Sequence, residues 1–310
     1  MILVAGEALI DLVPRAEKDV RTAHPGGGPF NAARTIGRLG VAVAFLGGIS
    51  DDVFGCRLRD DLAESGVDLD LVVATHLPTT LAVASLADDG SATYQFYLDG
   101  TAASIVSDAD VPRPFPVAID AVYIGTLSLI LEPIGSTLTA LAERQAGVIA
   151  VVLDPNIRPD ATRDAASLRA RVMRLVRAGA IVKASEDDLA WLFAGLELVD
   201  AMRQLLDHGA PLVVITSGAC GAVALQRGGE LVRVEAPPAD VVDTIGAGDA
   251  FGGALTAWWH DHGQLRRAAG LELPSLTDDE LAAALRFAAD VASRTCARRG
   301  ADPPRRVELS

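Results

Sequence analysis

The chain of 310 residues carries 41 acidic and 27 basic side chains, a formal net charge of −14, and half of its residues are hydrophobic. So much apolar side chain predicts a packed core and argues against disorder. The negative charge argues against nucleic acid or an anionic membrane surface as the main partner. Three scattered cysteines without metal-ligand spacing favour a reduced, cytoplasmic protein. No segment reaches the roughly 18 apolar residues of a membrane span, and the apolar N-terminal run is too short for a signal peptide.

Short apolar runs alternate with helical patterns along most of the chain. The strand candidates are 2–5, 41–47, 121–124, 148–153, 181–183 and 212–216. The helix candidates are 31–39, 54–65, 133–145, 168–178 and 249–260. This alternation predicts an α/β fold with a mostly parallel sheet and helices on both faces. Ligands of such sheets bind at the carboxyl ends of the strands.

Two segments, at about 9–25 and 72–102, break this alternation. The second holds two runs of alternating polarity, 81–86 and 92–97, around a turn sequence at 88–90, which is typical of a β-hairpin. We expect the two segments to form a small β-sheet lid inserted in the α/β core. A surface hairpin without function is the alternative. The tail from Gly300, rich in proline and arginine, is expected to be loose at its end.

A glycine-rich segment at 243–251, Asp-Thr-Ile-Gly-Ala-Gly-Asp-Ala-Phe, leads into the last of these helix candidates. Gly246 and Gly248 allow the backbone to come close to a ligand. The first amides of a helix have no intrahelical partner and lie at the positive end of its dipole, so that they bind anions. Asp249 is placed beside such an anion. It is either a helix cap or a general base for the group that attacks a bound phosphate.

A second glycine cluster, at 26–28, precedes Asn31. Asn31 either caps the helix that follows or exchanges hydrogen bonds with a polar ligand. The segment matches neither the phosphate loop with Gly-Lys-Ser/Thr nor the dinucleotide fingerprint. The residues after the first strand, 6–11, read Gly-Glu-Ala-Leu-Ile-Asp, which argues against a dinucleotide oxidoreductase.

Together, segments 26–33 and 243–251 resemble the two signatures of the ribokinase-like (PfkB) carbohydrate kinases, in the same order and over essentially the whole chain. The resemblance implies one domain over 1–310, a ribokinase-like three-layer α/β/α sandwich with a mostly parallel central sheet and a small β-sheet lid. It implies an ATP-dependent sugar kinase in which Asp249 is the general base and the amides of Gly246, Ala247 and Gly248 form an anion hole. The non-enzyme alternative is a sugar sensor on the same fold, which would be expected to lose Asp249 or these glycines.

The resemblance also implies which residues contact the sugar: Asp11, Gly27, Gly28, Asn31, Phe96, Arg158 and Asp249. The segment 154–158, Asp-Pro-Asn-Ile-Arg, is similar to that of bacterial fructokinases and favours fructose. A 2-keto-3-deoxygluconate kinase and a ribokinase or nucleoside kinase are the alternatives. Leu98 replaces an arginine that many relatives place after the aromatic residues of the lid, which leaves the sugar open. Arg158 as a surface ion-pair partner is the alternative for that side chain.

The nucleotide and cation contacts are implied by the resemblance alone. Those expected for ATP are Lys183, Ser185, Thr216, Ser217, Gly218, Gly221, Gly246 and Gly248. Ser185 and Asp188 stand where many relatives carry Asn-x-x-Glu, which implies a water-mediated Mg²⁺ contact through Asp188. A K⁺ ion is expected beside the anion hole, against Asp243 and the carbonyls of Ile245, Arg298 and Gly300. Relatives often pair through lid edges, so a homodimer is an open expectation.

Overall fold

The structure, a computed structural model, describes residues 1–14, 20–86, 92–265 and 276–309. The helices are α1 (Gly28–Arg38), α2 (Val53–Glu64), α3 (Ile134–Gln145), α4 (Ala165–Arg177), α5 (Glu186–Leu192), α6 (Leu198–Asp207), α7 (Ala247–Asp261) and α8 (Asp278–Cys296). The strands are β1 (Ile2–Ala5), β2 (Leu9–Pro14), β3 (Arg21–Gly26), β4 (Val43–Leu46), β5 (Gly48–Ser50), β6 (Val67–Asp68), β7 (Val73–Thr75), β8 (Thr80–Leu86), β9 (Ala92–Tyr97), β10 (Ala121–Gly125), β11 (Ala150–Asp154), β12 (Ile181–Ser185), β13 (Leu212–Thr216), β14 (Ala222–Gln226) and β15 (Val232–Val234).

A nine-stranded sheet in the order β15-β14-β13-β12-β11-β10-β1-β4-β6 forms the centre of the fold. The pairs from β6 to β13 are parallel, whereas β14 and β15 add antiparallel at one edge. The mostly parallel sheet predicted from the apolar runs is confirmed. Each of the predicted strands and helices overlaps an observed one.

Helices cover both faces of this sheet and give the three-layer α/β/α sandwich. In β1, Ile2 and Val4 pack in a core with α1, α2, α7 and α8. Leu3 and Ala5 pack in the opposite core, with α3 to α6. Because successive side chains of a strand point to opposite faces, a strand between two cores needs a continuous apolar run. None of the described helices is both long and apolar enough to span a bilayer.

A smaller four-stranded sheet has the order β3-β2-β8-β9. Segment 9–25 supplies β2 and β3, and segment 72–102 supplies β8 and β9. Strand β7, at the start of the second segment, pairs instead with β5 in a separate two-stranded sheet. The predicted turn at 88–90 lies outside the described residues. Strands β3 and β9 form the edges of this sheet, and pairing of two subunits through them stays a prediction.

The C-terminal tail, whose end is expected from its composition to be loose, packs on the body of the protein at 301–303. The side chain of Arg34 donates to the carbonyl of Ala301 at 2.8 Å, and that of Arg38 donates to the carbonyl of Pro303 at 2.6 Å. Arg38 also pairs with Asp302. Pro303 and Pro304 are buried, and two arginines of α1 donate to backbone carbonyls of the tail.

Candidate active site

Two cavities lie at the carboxyl ends of the central strands and share one loop. The polar cavity, of about 390 Å³, is lined by Glu7, Leu9, Asp11, Gly27, Gly28, Asn31, Tyr94, Phe96, Thr126, Leu127, Asn156, Arg158, Thr244, Ile245, Gly246, Gly248 and Asp249. It therefore joins the ends of β1, β10 and β11 to the four-stranded sheet and to the first turns of α1 and α7. All seven sugar-contact residues predicted from the sequence line this cavity, so the structure brings the predicted set together.

The apolar cavity, of about 500 Å³, lies on the other side of the loop. It is lined by Thr216, Gly218, Ala219, Gly221, Ala236, Pro237, Pro238, Ala239, Val241, Thr244, Ala247, Gly248, Phe251, Ala289, Ala292, Ser293 and Cys296. Small and apolar side chains dominate the list, so this cavity suits a flat, weakly polar group better than a sugar. Thr244 and Gly248 line both cavities.

Asp249 lies in the first turn of α7, is 8% exposed, and borders the polar cavity. The amide of Asn31 donates to its Oδ2 at 2.9 Å, and the amide of Asn156 donates to its Oδ1 at 3.0 Å. Asn31 and Asp249 are 218 positions apart, and the packing of α1 on α7 joins them. With an amide on each oxygen, the carboxylate is held in one orientation at the polar cavity.

The loop before α7 presents backbone N–H groups to the junction of the cavities. Gly246 has φ of +75° and ends the loop, where a β-carbon would lie 2.4 Å from the side chain of Ala301. Within the described residues, no group accepts from the amides of Gly246, Gly248 or Asp249, whereas Ala247 donates weakly to Thr244 at 3.3 Å. Unpartnered amides at a helix N-terminus are an anion-binding arrangement.

Asp243 fastens this loop to the C-terminal tail. Its Oδ1 accepts from the amide of Ile245 at 3.0 Å, and its Oδ2 accepts from the amide of Gly300 at 2.8 Å. Three of the four residues expected to hold K⁺, Asp243, Ile245 and Gly300, are therefore neighbours. The carbonyl of Gly300 also accepts from Asp302 at 2.9 Å.

A buried ion pair lies behind the loop. The Nζ of Lys183 is 2.8 Å from Asp154, which also accepts from the hydroxyl of Tyr123 at 3.0 Å. Burial alone would lower the pKa of Lys183, but the pairing with Asp154 raises it above its usual value, so that Lys183 is charged. Burial raises the pKa of Asp154 to about 6 despite Lys183. A β-carbon on Gly248 would lie 3.4 Å from the Nζ, which places one positive charge just behind the anion-binding amides.

Glu7 is buried beside the polar cavity and braces its glycine loop. Its carboxylate accepts from the amide of Gly28 at 3.2 Å and from the amide of Ser128 at 3.0 Å, and it also contacts the Ser128 hydroxyl. Burial raises the pKa of Glu7 to about 7, although these donors oppose the shift. Gly27 has φ of +107°, and a β-carbon there would lie 2.7 Å from the Glu7 carbonyl, so the loop can approach Glu7 only as glycine.

The far end of the polar cavity carries charge and aromatic surface. Asp11 is half-buried, and its burial, followed by the charge of Asp249, raises its pKa to about 7 while Arg158 lowers it. Tyr94 and Phe96 of β9 stack with ring centroids 6.1 Å apart. The cavity thus offers hydrogen-bonding groups on one side and an aromatic wall on the other, which is the usual make-up of a sugar site.

The residues predicted to contact ATP divide into two groups. Thr216, Gly218, Gly221 and Gly248 line the apolar cavity, whereas Gly246 lines the polar cavity. Ser217 is not among the lining residues, and its hydroxyl donates to Glu186 at 2.5 Å. Lys183 is buried under the loop, and Ser185 is the N-cap of α5, so neither lines the cavity.

Both carboxylate oxygens of Asp188 accept hydrogen bonds from the protein. Its Oδ1 accepts from the amide of Ile157 at 2.6 Å, and its Oδ2 accepts from the amide and hydroxyl of Ser185. It is 4% exposed and lines neither cavity. The geometry is that of a capping box, Ser-x-x-Asp, which the sequence Ser185-Glu186-Asp187-Asp188 spells out. Among the described residues, no group of three or more His, Cys, Asp or Glu side chains lies close enough together to hold a metal ion.

Sequence reasoning missed several residues of this site. Asn156, Glu7 and Thr126 line the polar cavity, and Asp154 holds Lys183, but none was singled out for a function. The rarity of two residue types is one signal that could have identified some of them, because the sequence has two asparagines and two lysines in all. Both asparagines contact Asp249, and Lys183 lies beneath the loop that precedes it.

The chain matches the pfkB family carbohydrate kinase over residues 1–307. It is 41% identical over 261 residues to the fructokinase of Rhizobium leguminosarum bv. trifolii, with 83% of this chain and 79% of the relative covered. The structure of the Xylella fastidiosa fructokinase with bound ATP superposes with a TM-score of 0.86 at 28% identity, over 99% and 97% of the two chains. A double mutant of the fructokinase of Vibrio cholerae O395, in a fructose-, ADP- and potassium-bound form, gives a TM-score of 0.82 at 26% identity, over 97% and 93%.

The site has an anion-binding loop between two cavities, and the chain is similar to fructokinases in sequence and in structure. The protein is therefore a carbohydrate kinase. The chain belongs to the pfkB family over essentially its whole length. The predicted ribokinase-like fold and the predicted class of enzyme are confirmed.

Proposed function

We propose that this kinase transfers the γ-phosphoryl group of ATP to a hydroxyl of fructose, most simply a primary one, with Asp249 as the general base. The observation that carries the proposal is the meeting of the polar and apolar cavities at Thr244 and Gly248. A sugar in the first and a nucleotide in the second would approach this loop from opposite sides, as in-line transfer requires. The similarity to fructokinases supports fructose and ATP as the two substrates.

Asp249 fits the base because it is ionisable, buried beside the polar cavity, and fixed at both oxygens. As the acceptor oxygen forms its bond to the γ-phosphorus, its proton passes to the Asp249 carboxylate. The bond between the γ-phosphorus and the β–γ bridging oxygen breaks, and ADP leaves with that oxygen. The carboxylate also orients the hydroxyl before the reaction, which is a large part of what a general base contributes.

Negative charge on the transferring group is met by the amides of Gly246 and Gly248, by the N-terminus of α7, and by Lys183 behind the loop. Local donors are required because the molecule as a whole carries a charge of −14. Mg²⁺ entering with ATP would neutralise charge on the β- and γ-phosphates. Since Asp188 is occupied, we propose that the phosphates and water hold this Mg²⁺.

For the sugar, Asp11 supplies acceptors for hydroxyl groups, and Gly27, Gly28, Asn31 and Arg158 border the same cavity. Phe96 and Tyr94 cover an apolar face of the ring.

We also propose that K⁺ binds beside Asp243 and stiffens the loop. Replacement of K⁺ by Na⁺ in the assay should then lower turnover, and equal turnover in the two salts would contradict this site.

Replacement of Asp249 by asparagine tests the general base. We expect Asp249→Asn to keep the fold and most sugar binding but to cut turnover by about 10²- to 10⁴-fold, the usual effect of losing a general base. The measurement is coupled ADP release with fructose, with circular dichroism and calorimetric fructose binding as controls. Turnover close to that of the parent would rule out Asp249 as the base.

A substrate panel tests the sugar. Coupled ADP release with fructose, tagatose, ribose, 2-keto-3-deoxygluconate and nucleosides should give its highest kcat/KM with fructose. A higher value for another compound would replace fructose and leave the kinase assignment intact. Sugar binding without ADP release from any compound would favour the sensor alternative.

A further inference from the structure

Asn156 is the second amide on the carboxylate of Asp249. The chain contains two asparagines, and they donate to the two oxygens of this one carboxylate. A carboxylate bonded at both oxygens cannot turn about its Cβ–Cγ bond, and both donors stabilise its charged form. The amide of Asn31 comes from α1, and the amide of Asn156 comes from the loop after β11. Together they decide which lone pair of Asp249 stays available for a third partner.

The backbone at Asn156 is held in a conformation that few residues adopt. Its φ is +38°, in the left-handed region that is unfavourable for a residue other than glycine. The next amide, of Ile157, donates to Asp188 at 2.6 Å. Asp188 is anchored in turn at the start of α5 through Ser185. The end of β12 therefore fixes the turn at the end of β11.

The side chain of Asn156 is oriented by Arg158. The Nη1 of Arg158 donates to the amide oxygen of Asn156 at 2.5 Å and to its carbonyl at 3.0 Å. Since a guanidinium can only donate, the oxygen of the amide must face Arg158, and its NH₂ group must then face Asp249. Arg158 thus sets the orientation of the Asn156 amide, and this orientation makes the amide a donor to Asp249.

We propose that Asn156 is a positioning residue for phosphoryl transfer, which fixes the Asp249 carboxylate in the orientation that accepts the hydroxyl proton. Arg158 and Asp188 hold Asn156 in place for this purpose. The inference rests on the proposed role of Asp249 as the general base. Asn156 acts on the reaction through Asp249, so its loss affects the chemical step more than the binding of the sugar.

Two variants separate the amide from the backbone that carries it. Asn156→Gly removes the donor and relaxes the left-handed φ, so the turn is kept. Asn156→Asp keeps the shape and the acceptor for Arg158 but replaces the donor with a second negative charge beside Asp249. We expect kcat to fall by about 10- to 100-fold in Asn156→Gly, in the range of a misoriented catalytic group, while KM for fructose stays within about threefold.

The pH profile of kcat supplies a readout that a purely structural residue would not move. Loss of a donor to the charged form raises the pKa of a carboxyl group, and a neighbouring carboxylate raises it further. The acid limb should therefore move to higher pH in Asn156→Gly and further in Asn156→Asp. Glu7, Asp11 and Asp154 have raised pKa values and Lys183 also faces Asp249, but parent and variants share these groups, so the difference between profiles is the quantity to measure.

Parental kcat and parental pH profile in both variants would overturn the inference, and so would an effect confined to KM, which would make Asn156 a sugar contact. If Asn156→Gly fails to fold by thermal unfolding, Asn156→Asp decides by the same two criteria. Asp249→Asn is measured alongside. Turnover in that variant would refute the base itself, whereas an inactive Asp249→Asn with an unaffected Asn156→Gly would refute the positioning role alone.

Discussion

At the scale of single residues, Gly246 ties the anion-binding loop to the C-terminal tail. Its φ is left-handed, at +75°, and the space that a side chain would need is already occupied, because a β-carbon would lie 2.4 Å from the Cβ of Ala301. The tail in turn is bonded to Asp243, at the start of the same loop. A substituent on Gly246 must therefore displace either the loop or the tail, and both border the site of transfer.

Replacement of Gly246 by alanine should therefore lower the free energy of unfolding by more than the backbone strain alone. Gly228 is a matched control, because its φ is also +75° and no atom lies within 4 Å of its β-position. Each substitution should lower the free energy of unfolding by about 1 kcal/mol for the left-handed backbone. Only Gly246→Ala should lose further stability and at least about tenfold in kcat/KM for ATP, as measured by urea unfolding and ADP release. Equal effects of the two variants on both measurements would refute the role of the packed loop.

At the scale of secondary-structure elements, Asp188 links the N-terminus of α5 to the turn after β11. The expectation that Asp188 binds Mg²⁺ came from its place in a family motif. The hydrogen bonds give it a structural role, since protein groups donate to both of its oxygens. Two neighbouring parallel strands end in these groups, so one carboxylate can set the relative position of both turns.

Asp188→Asn should consequently act on kcat and leave the Mg²⁺ requirement unchanged. The asparagine keeps one acceptor and must give up either Ile157 or Ser185, which costs about 1–2 kcal/mol of stability. Glu280→Gln is a matched control, because Glu280 closes the same capping box with Thr277 at the start of α8, away from both cavities. We expect Glu280→Gln to lose stability without losing kcat. A large rise in the Mg²⁺ concentration for half-maximal activity of Asp188→Asn would restore the metal role.

The elements with strong periodicity could be predicted from the sequence, and the contacts between their ends could not. The apolar runs of β1, β10 and β11 and the glycine segments before α1 and α7 identify the sheet and the catalytic loop without any structure. Asn156 could not be assigned in this way, because its contact with Asp249 depends on a positive φ and on the register of β11 beside β10. The capping box of Asp188 is visible in the spacing Ser185-x-x-Asp188, but its hydrogen bond from Ile157 depends on the contact between two strand ends and could not be predicted. The packing of the tail could not be predicted because its partners, Arg34 and Arg38, lie about 265 positions away.

At the scale of the whole molecule, three acidic side chains are withdrawn from water around one end of the central sheet. Glu7 follows β1, Asp154 ends β11 and Asp11 lies within β2 of the smaller sheet, and burial is the main cause of the raised pKa of each. Asp249 adds to the shift of all three. When these carboxyl groups are charged, their burial near the transfer site lowers the free energy of unfolding of the whole protein.

Stability should therefore fall as the pH rises from about 4 to about 7. In this range the folded protein holds protons on Glu7, Asp11 and Asp154 that the unfolded chain, with pKa values of 4.5, 3.8 and 3.8, has released. A raised acid pKa gives stability that is complete below the unfolded pKa and is lost as the pH passes the folded pKa of about 6 to 7, at up to about 1.4 kcal/mol per pH unit for each group. Carboxyl groups with lowered pKa, such as Asp52 and Glu132, oppose this trend only below about pH 4 to 5.

Urea unfolding at pH 5, 6, 7 and 8 measures the slope of the unfolding free energy against pH, and Glu7→Gln should reduce it because glutamine does not titrate. A parent whose unfolding free energy rises over this range, or a Glu7→Gln protein with the slope of the parent, would show that these carboxyl groups are not protonated in the folded state.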